Sequence, residues 1–265
     1  MATGNLAACL AVTLRHEGAY TNDKRDPGNW TGGKVGVGTL KGTKYGIAAA
    51  SYPNLDIKNL TLNDAKPIYE AKYWRPIRGD ALPVGIDLST LDYGVNSGPS
   101  RSVKDLQSVL GLKPDGIVGA DTLKAAIVAD GKAVIQRHCA KRLSFMRGLK
   151  IWNTFKRGWS TRVADVEAKA VAMYLARSKP LTGADRQELQ TESAKANTTA
   201  TVQQTGATAA GGGGIATSGN VPAVDINWYV VAGVAVALLI VIGILLFKAS
   251  HNKRRAAAYA KEAAA

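Results

Sequence analysis

The sequence is poor in the residues that build disulfide frameworks and metal sites. Its 265 residues include two cysteines, Cys9 and Cys139, and three histidines, His16, His138 and His251. Both cysteines lie in apolar, helix-compatible stretches, which favours buried thiols, although a pair leaves one disulfide open. The histidines lack the spacing of a metal site. We therefore expect no metal and no cofactor.

Acidic residues are also scarce. The chain has 20 Asp and Glu against 34 Lys and Arg, a formal net charge of +14, and residues 1–180 hold 27 of the basic and 15 of the acidic residues. A basic surface favours polyanions, which include nucleic acid, anionic lipid and the acidic polymers of a cell wall. The basic residues are scattered singly, and no helix-turn-helix, zinc-finger or RNA-binding signature accompanies them. The sequence therefore predicts no specific nucleic-acid partner.

Two carboxylates lie close together near the N-terminus. Glu17 follows the apolar stretch 6–14 and precedes Gly18, so partial shielding from water would raise its pKa, as a general acid requires. Asp26 opens the turn Asp26-Pro27-Gly28 and is expected to stay solvated and ionised. Two carboxylates in contrasting environments are the working groups of glycoside hydrolysis. The spacing alone is equally compatible with a helix end and a turn residue.

Further motifs accompany this pair. His16-Glu17-Gly18-Ala19-Tyr20, Asp26-Pro27-Gly28 and Thr43-Lys44-Tyr45-Gly46-Ile47 resemble the Glu-Gly-Gly-Tyr, Asp-Pro-Gly-Gly and Thr-x-Tyr-Gly-Ile signature of glycoside hydrolase family 108. The resemblance continues through 68–74 and 92–98. It implies a lysozyme-like fold and the activity of a phage-type endolysin, an N-acetylmuramidase that acts on the glycan strands of peptidoglycan.

The resemblance also implies roles for individual residues. Glu17 would protonate the glycosidic oxygen, and Asp26 would stabilise the oxocarbenium ion or, with Thr43, orient the attacking water. Tyr20, Tyr45 and Asn96 would line the sugar sites. Whether the anomeric centre inverts stays open.

Two departures from the family pattern affect this interpretation. Ala19 occupies the position at which the family usually has its second glycine. If the backbone there needs a positive φ, alanine would be strained. The Gly-rich segment 29–42 is longer than usual and predicts a small hairpin. This insertion leaves Thr31 and Thr43 as candidates for the family threonine, and we choose Thr43 because Tyr45-Gly46-Ile47 follows it in register.

A second unit is predicted at 101–180. Segments 106–111, 115–119 and 122–123 resemble the helical peptidoglycan-binding modules, in which a Leu-Gln-x-x-Leu-Gly helix precedes an Asp-Gly turn and a Thr-capped helix. The alternative is a purely structural buttress for the catalytic part.

The C-terminal third of the sequence predicts a membrane tether. Residues 181–225 are rich in Thr, Ala, Gln, Ser and Gly and predict a flexible, disordered linker. Residues 226–247 contain no charge and are long enough to cross a bilayer. The basic tail 248–265 then predicts that residues 1–225 lie outside the cytoplasm by the positive-inside rule. The alternative is a tail-anchored protein whose enzyme domain stays in the cytoplasm until the membrane is breached. The N-terminus shows no export signal.

We therefore expect a mainly α protein with a lysozyme-like domain at 1–100, a peptidoglycan-binding-like module at 101–180, a linker, and a single transmembrane helix. The predicted location is the inner membrane, with the enzyme domain on the periplasmic side. The alternatives are a non-catalytic peptidoglycan-binding anchor and a membrane-perturbing lysis protein.

Overall fold

The computed structural model describes residues 2–212 and 228–265, which are mainly helical, as predicted. Residues 226–227 of the predicted membrane helix lie outside them. The helices are α1 Leu6–Thr13, α2 Leu62–Tyr69, α3 Ile86–Ser97, α4 Pro99–Val109, α5 Ala120–Val128, α6 Gly131–Arg147, α7 Trp152–Leu175, α8 Gly183–Gly212 and α9 Trp228–Ala264. Strands β1 Thr43–Lys44 and β2 Ile47–Ala48 pair antiparallel.

The first 175 residues, here called the body, are organised around α3. This helix is buried from Ile86 to Gly94 and packs against α1, α4, α6 and α7. One continuous apolar core runs from Leu6 on α1 to Val171 on α7. Each Leu or Ile buried in such a core contributes roughly 1.5–3 kcal/mol. The segments 1–100 and 101–180 therefore support each other through a shared core.

The insertion forms the predicted hairpin. Trp30 bridges Leu40, and the Thr31 N–H donates to the Thr39 carbonyl at 3.0 Å. Ala19 carries no strain, because Gly18 supplies the positive φ of 78° in that turn.

The second unit contains a polar cluster at its Asp-Gly turn. The buried Gln107 amide donates to Asp115 Oδ1 at 2.7 Å and accepts from the Gly116 N–H at 2.9 Å. It also donates to Thr122 Oγ1 at 3.1 Å. These motif residues hold the turn against two helices, which supports the structural alternative for this unit. Glycan binding by it stays a prediction.

The flexible linker predicted for 181–225 is wrong over α8. Thr182 and Asp185 form a reciprocal cap at its start, with Thr182 Oγ1 donating to Asp185 Oδ2 at 2.6 Å. Its buried apolar side chains lie on one face and are small apart from one leucine. They are Leu189, Ala196, Ala200 and Ala207, and Glu192 is buried beside them. Ala and Gln favour helix, and small side chains let α8 and α9 pack closely. Residues 213–225 of the predicted linker lie outside the described residues.

Helix α9 has two halves with different surroundings. Gly233–Ala264 is long and apolar enough to cross a membrane, and only 6% of its most apolar window is buried. Helix α8 lies along both halves, with Gly206 and Gly211 beside Leu245 and Ile242 of the apolar half, but only residues 247–264 also pack on the body. Arg255 pairs with Glu167 of α7 at 2.6 Å, and Lys169 pairs with Glu262 at 2.9 Å.

This packing corrects the predicted topology. The charge pattern predicted a membrane between the tail 248–265 and residues 1–225, whereas the tail lies against the body. Tyr259 is fully buried and donates to Glu167 Oε1 at 2.9 Å. The positive-inside rule counts basic residues, and it takes no account of those that already have a carboxylate partner within the fold.

Candidate active site

Glu17 ends the 3-10 turn that follows α1, where its N–H donates to the Leu14 carbonyl at 3.2 Å. Its side chain is 19% exposed. This agrees with the partial shielding expected from the sequence. Oε1 lies 2.7 Å from Nη1 of Arg162, which projects from α7. One carboxyl oxygen is therefore held by a charge-assisted hydrogen bond.

Arg162 is itself fixed by Asp92 of α3. Its Nε and Nη2 donate to the two Asp92 oxygens at 2.9 and 3.0 Å. Arg142 of α6 donates from Nη1 to Asp92 Oδ1 at 2.6 Å. Burial opposes the charge of Asp92, but the two arginines outweigh it and hold its pKa at about 2. The four side chains form a chain of alternating charge, Glu17–Arg162–Asp92–Arg142, with equal numbers of each sign.

The tight turn between β1 and β2 passes beside the other oxygen of Glu17. A methyl group on Gly46 would lie 3.1 Å from Glu17 Oε2 and 3.2 Å from the Tyr69 hydroxyl, so the backbone passes close to both. Tyr45 and Gly46 have φ of 53° and 69°. The Tyr69 hydroxyl donates to the Tyr45 carbonyl at 2.6 Å and holds this turn. Burial, followed by the charge of Glu17, raises the pKa of Tyr69.

Asp26 and Thr43 are linked through Asn29. The exposed Asp26 caps the turn Pro27–Asn29, with Oδ1 accepting from the Gly28 N–H at 2.8 Å. Thr43 Oγ1 donates to the buried Asn29 Oδ1 at 2.7 Å. Thr31 belongs to the hairpin, where its Oγ1 accepts from the Thr39 N–H at 2.9 Å. Thr43 is thus the threonine on the strand that leads to Gly46.

The predicted sugar contacts divide into two groups. Tyr20 packs beside Gly42, and its hydroxyl donates to the Lys41 carbonyl at 3.3 Å. Tyr45, beneath the Lys44 ammonium, lies on the turn that touches Glu17. Asn96 is the second group. It lies one turn beyond Asp92 at the end of α3, where Oδ1 accepts from Ser97 Oγ at 3.2 Å.

Sequence reasoning missed Arg162 and Arg142 and gave Asp92 no defined role. Asp92, four residues before Asn96 on α3, is fully buried. A charged residue inside an apolar helix pattern, such as Arg162 before Val163, is the signal that could have marked a buried partner. The sequence does not indicate which carboxylate that partner would be.

The chain is similar to known proteins over the segment that holds this site. Residues 10–98 match the family Glycosyl hydrolase 108. The chain is similar to SagA of Brucella abortus, with 35% sequence identity and a TM-score of 0.53, over 64% of this chain and 96% of that one. No curated protein matches it. The family match contains all of the predicted site residues and ends before α6 and α7, which supply Arg142 and Arg162.

Proposed function

Because this chain belongs to the glycosyl hydrolase 108 family, we propose that it is a membrane-associated peptidoglycan hydrolase of the phage-endolysin type. Its reaction is that of an N-acetylmuramidase, which cleaves the β-1,4 bond between N-acetylmuramic acid and N-acetylglucosamine. The observation that carries the proposal is the placement of Glu17, half-shielded, with one oxygen fixed by Arg162 and the other against Gly46.

Glu17 acts as the general acid. Arg162 holds Oε1, so the proton is carried on Oε2 and passes to the glycosidic oxygen as the bond to the anomeric carbon breaks. The leaving sugar departs as an alcohol, and positive charge develops on the ring that remains. Asp92 fixes the guanidinium of Arg162 at two points, which keeps Glu17 oriented through the reaction.

Asp26 acts on the developing charge. An exposed carboxylate on a rigid turn stabilises an oxocarbenium ion without transferring a proton, or orients the attacking water together with Thr43. The Asn29 bridge between the Asp26 turn and Thr43 supports the second role, because it fixes their relative position. Tyr20, Tyr45 and Asn96 contact the sugars on either side of the scissile bond.

Helix α9 supplies the membrane contact. Its exposed side chains from Val234 to Leu246 are almost all aliphatic, and the first cation after them is Lys248. A helix of this composition is stable in the hydrocarbon of a bilayer, and about 20 residues are enough to span it. The tail packs on the body, so both lie on one side of the membrane. The apolar half of α9 therefore enters the bilayer as one arm of a pair with α8, whose Gly206 and Gly211 lie beside Leu245 and Ile242. The substrate puts the body at the periplasmic face of the inner membrane.

Hydrolysis of purified peptidoglycan by the full-length protein tests this function. Glu17→Gln should abolish clearing, while the matched control Glu70→Gln, which removes an exposed carboxylate paired with Arg75, should keep it. Equal clearing by the wild type and Glu17→Gln would show that Glu17 is not the general acid. Wall binding without clearing by the wild type supports the non-catalytic anchor. Lysis of bare lipid vesicles, with peptidoglycan intact, supports the membrane-perturbing protein.

A further inference from the structure

A cavity of about 320 Å³ opens where α9 leaves the body, and it has no part in the mechanism above. Its walls come from the end of α6 and from α7, α8 and the middle of α9. The cations Arg147 and Lys248 face it, together with Phe247 and His251. Glu167 is also in its wall, but that carboxylate is already bound by Arg255 and Tyr259.

Several polar groups that line this cavity lack an ion-pair or hydrogen-bond partner. Among the described residues, neither Arg147 nor Lys248 has a carboxylate within ion-pair distance. His251 is 9% exposed, and its Nδ1 has no hydrogen-bond partner within the described part of the chain. The buried Nδ1 without a partner is costly unless a ligand hydrogen-bonds it, and the half-buried Arg147 and exposed Lys248 beside it favour a ligand that is an anion.

The position of the cavity identifies the class of ligand. Arg147 lies over the Phe247 ring at 4.8 Å, at the point where the exposed apolar stretch of α9 ends. Trp152 packs edge-on against Phe247 at 5.2 Å, and the half-exposed Phe155 stacks on Trp159. Aromatic side chains next to cations at the end of an apolar helix are typical of a membrane–water interface. The cavity is therefore at headgroup depth when the apolar half of α9 is in the bilayer.

We propose that this cavity binds the headgroup of an anionic phospholipid, with Arg147 and Lys248 on the phosphate and His251 Nδ1 on a headgroup hydroxyl. This inference rests on the membrane association in the proposed function. It adds a lipid preference that a hydrophobic helix alone does not provide, and it fixes the α6–α7 corner of the body against the bilayer surface.

The test is lipid binding by the full-length protein in an uncharged detergent. Short-chain phosphatidylglycerol, phosphatidylcholine of the same chain length and inorganic phosphate are titrated separately by calorimetry. We expect phosphatidylglycerol to bind at least ten times more tightly than phosphatidylcholine or phosphate. The double variant Arg147→Gln/Lys248→Gln should lose this preference. The control Arg137→Gln/Lys253→Gln removes one exposed cation from each of the same helices, outside the cavity, and should keep it.

Each other outcome contradicts the proposal. Equal binding of the two lipids, or an unchanged preference in a folded double variant, excludes this cavity as the site. If inorganic phosphate binds as tightly as phosphatidylglycerol, the cavity is a site for free anions and not for a lipid headgroup. Should the double variant unfold, Lys248→Gln alone must weaken phosphatidylglycerol binding. Peptidoglycan clearing by the same samples separates the two proposals, because loss of the lipid preference with clearing intact contradicts the lipid site only.

Discussion

Arg162 Nη1 lies 2.7 Å from Glu17 Oε1, while the same guanidinium binds both oxygens of the buried Asp92. The arginine that orients the candidate acid is therefore held by a carboxylate that never reaches solvent. Glu17 is near the N-terminus, Asp92 is on α3 and Arg162 is on α7, so the geometry of the site depends on the packing of the whole body.

Arg162→Lys should lower kcat by roughly 100-fold with little change in KM, because lysine cannot bind Asp92 at two points and fix Glu17 at a third. The fall reflects misplacement of Glu17 and leaves substrate binding intact. Arg75→Lys, at an exposed ion pair, is the matched control and should be close to wild type. An Arg162→Lys protein that is folded and has a normal kcat would show that this ion pair is dispensable.

Asp26→Asn should lower kcat, with KM nearly unchanged, because the charge of Asp26 matters only as positive charge develops on the sugar. The loss should be smaller than for Glu17→Gln, since no proton transfer depends on Asp26. Steady-state kinetics on soluble glycan fragments give both values. If kcat does not change, Asp26 is only the cap of its turn.

Gly46→Ala should reduce both activity and stability. The added methyl group would press on Glu17 Oε2 and the Tyr69 hydroxyl, and the φ of 69° is unfavourable for alanine by about 1 kcal/mol. Gly36→Ala is the control, because Gly36 has φ of 79° with open space around it. It should lose a similar amount of stability and keep its activity. Equal activity in the two variants would rule out the close approach of Gly46 to Glu17.

The site was partly predictable from the sequence. The resemblance assigned Glu17 and Tyr45 to one substrate site, and the Tyr45-Gly46 turn lies beside Glu17. The Arg162–Asp92 pair was not predictable, since long-range ion pairs leave no periodic pattern. Helix α8 was missed because its buried face is mostly alanine, which has little apolar signal, and because its stability depends on packing against α9.

Tags at the two ends of the chain should lie on the same side of the membrane. The ion pairs of Arg255 with Glu167 and Lys169 with Glu262 hold the tail against the body, so both ends share a compartment. Protease added to spheroplasts should remove both tags when the body is periplasmic, or neither when it is cytoplasmic. Removal of the N-terminal tag alone would restore the topology predicted from charge and show that the tail detaches.

Chemical identification of the new reducing ends tests the central claim most directly. Purified peptidoglycan is digested with the full-length protein, and the fragments are reduced with borohydride and analysed by mass spectrometry. We expect every new reduced end to be N-acetylmuramitol, and Glu17→Gln to produce none. New ends of reduced N-acetylglucosamine, or new muramitol ends from the Glu17→Gln protein, would contradict it.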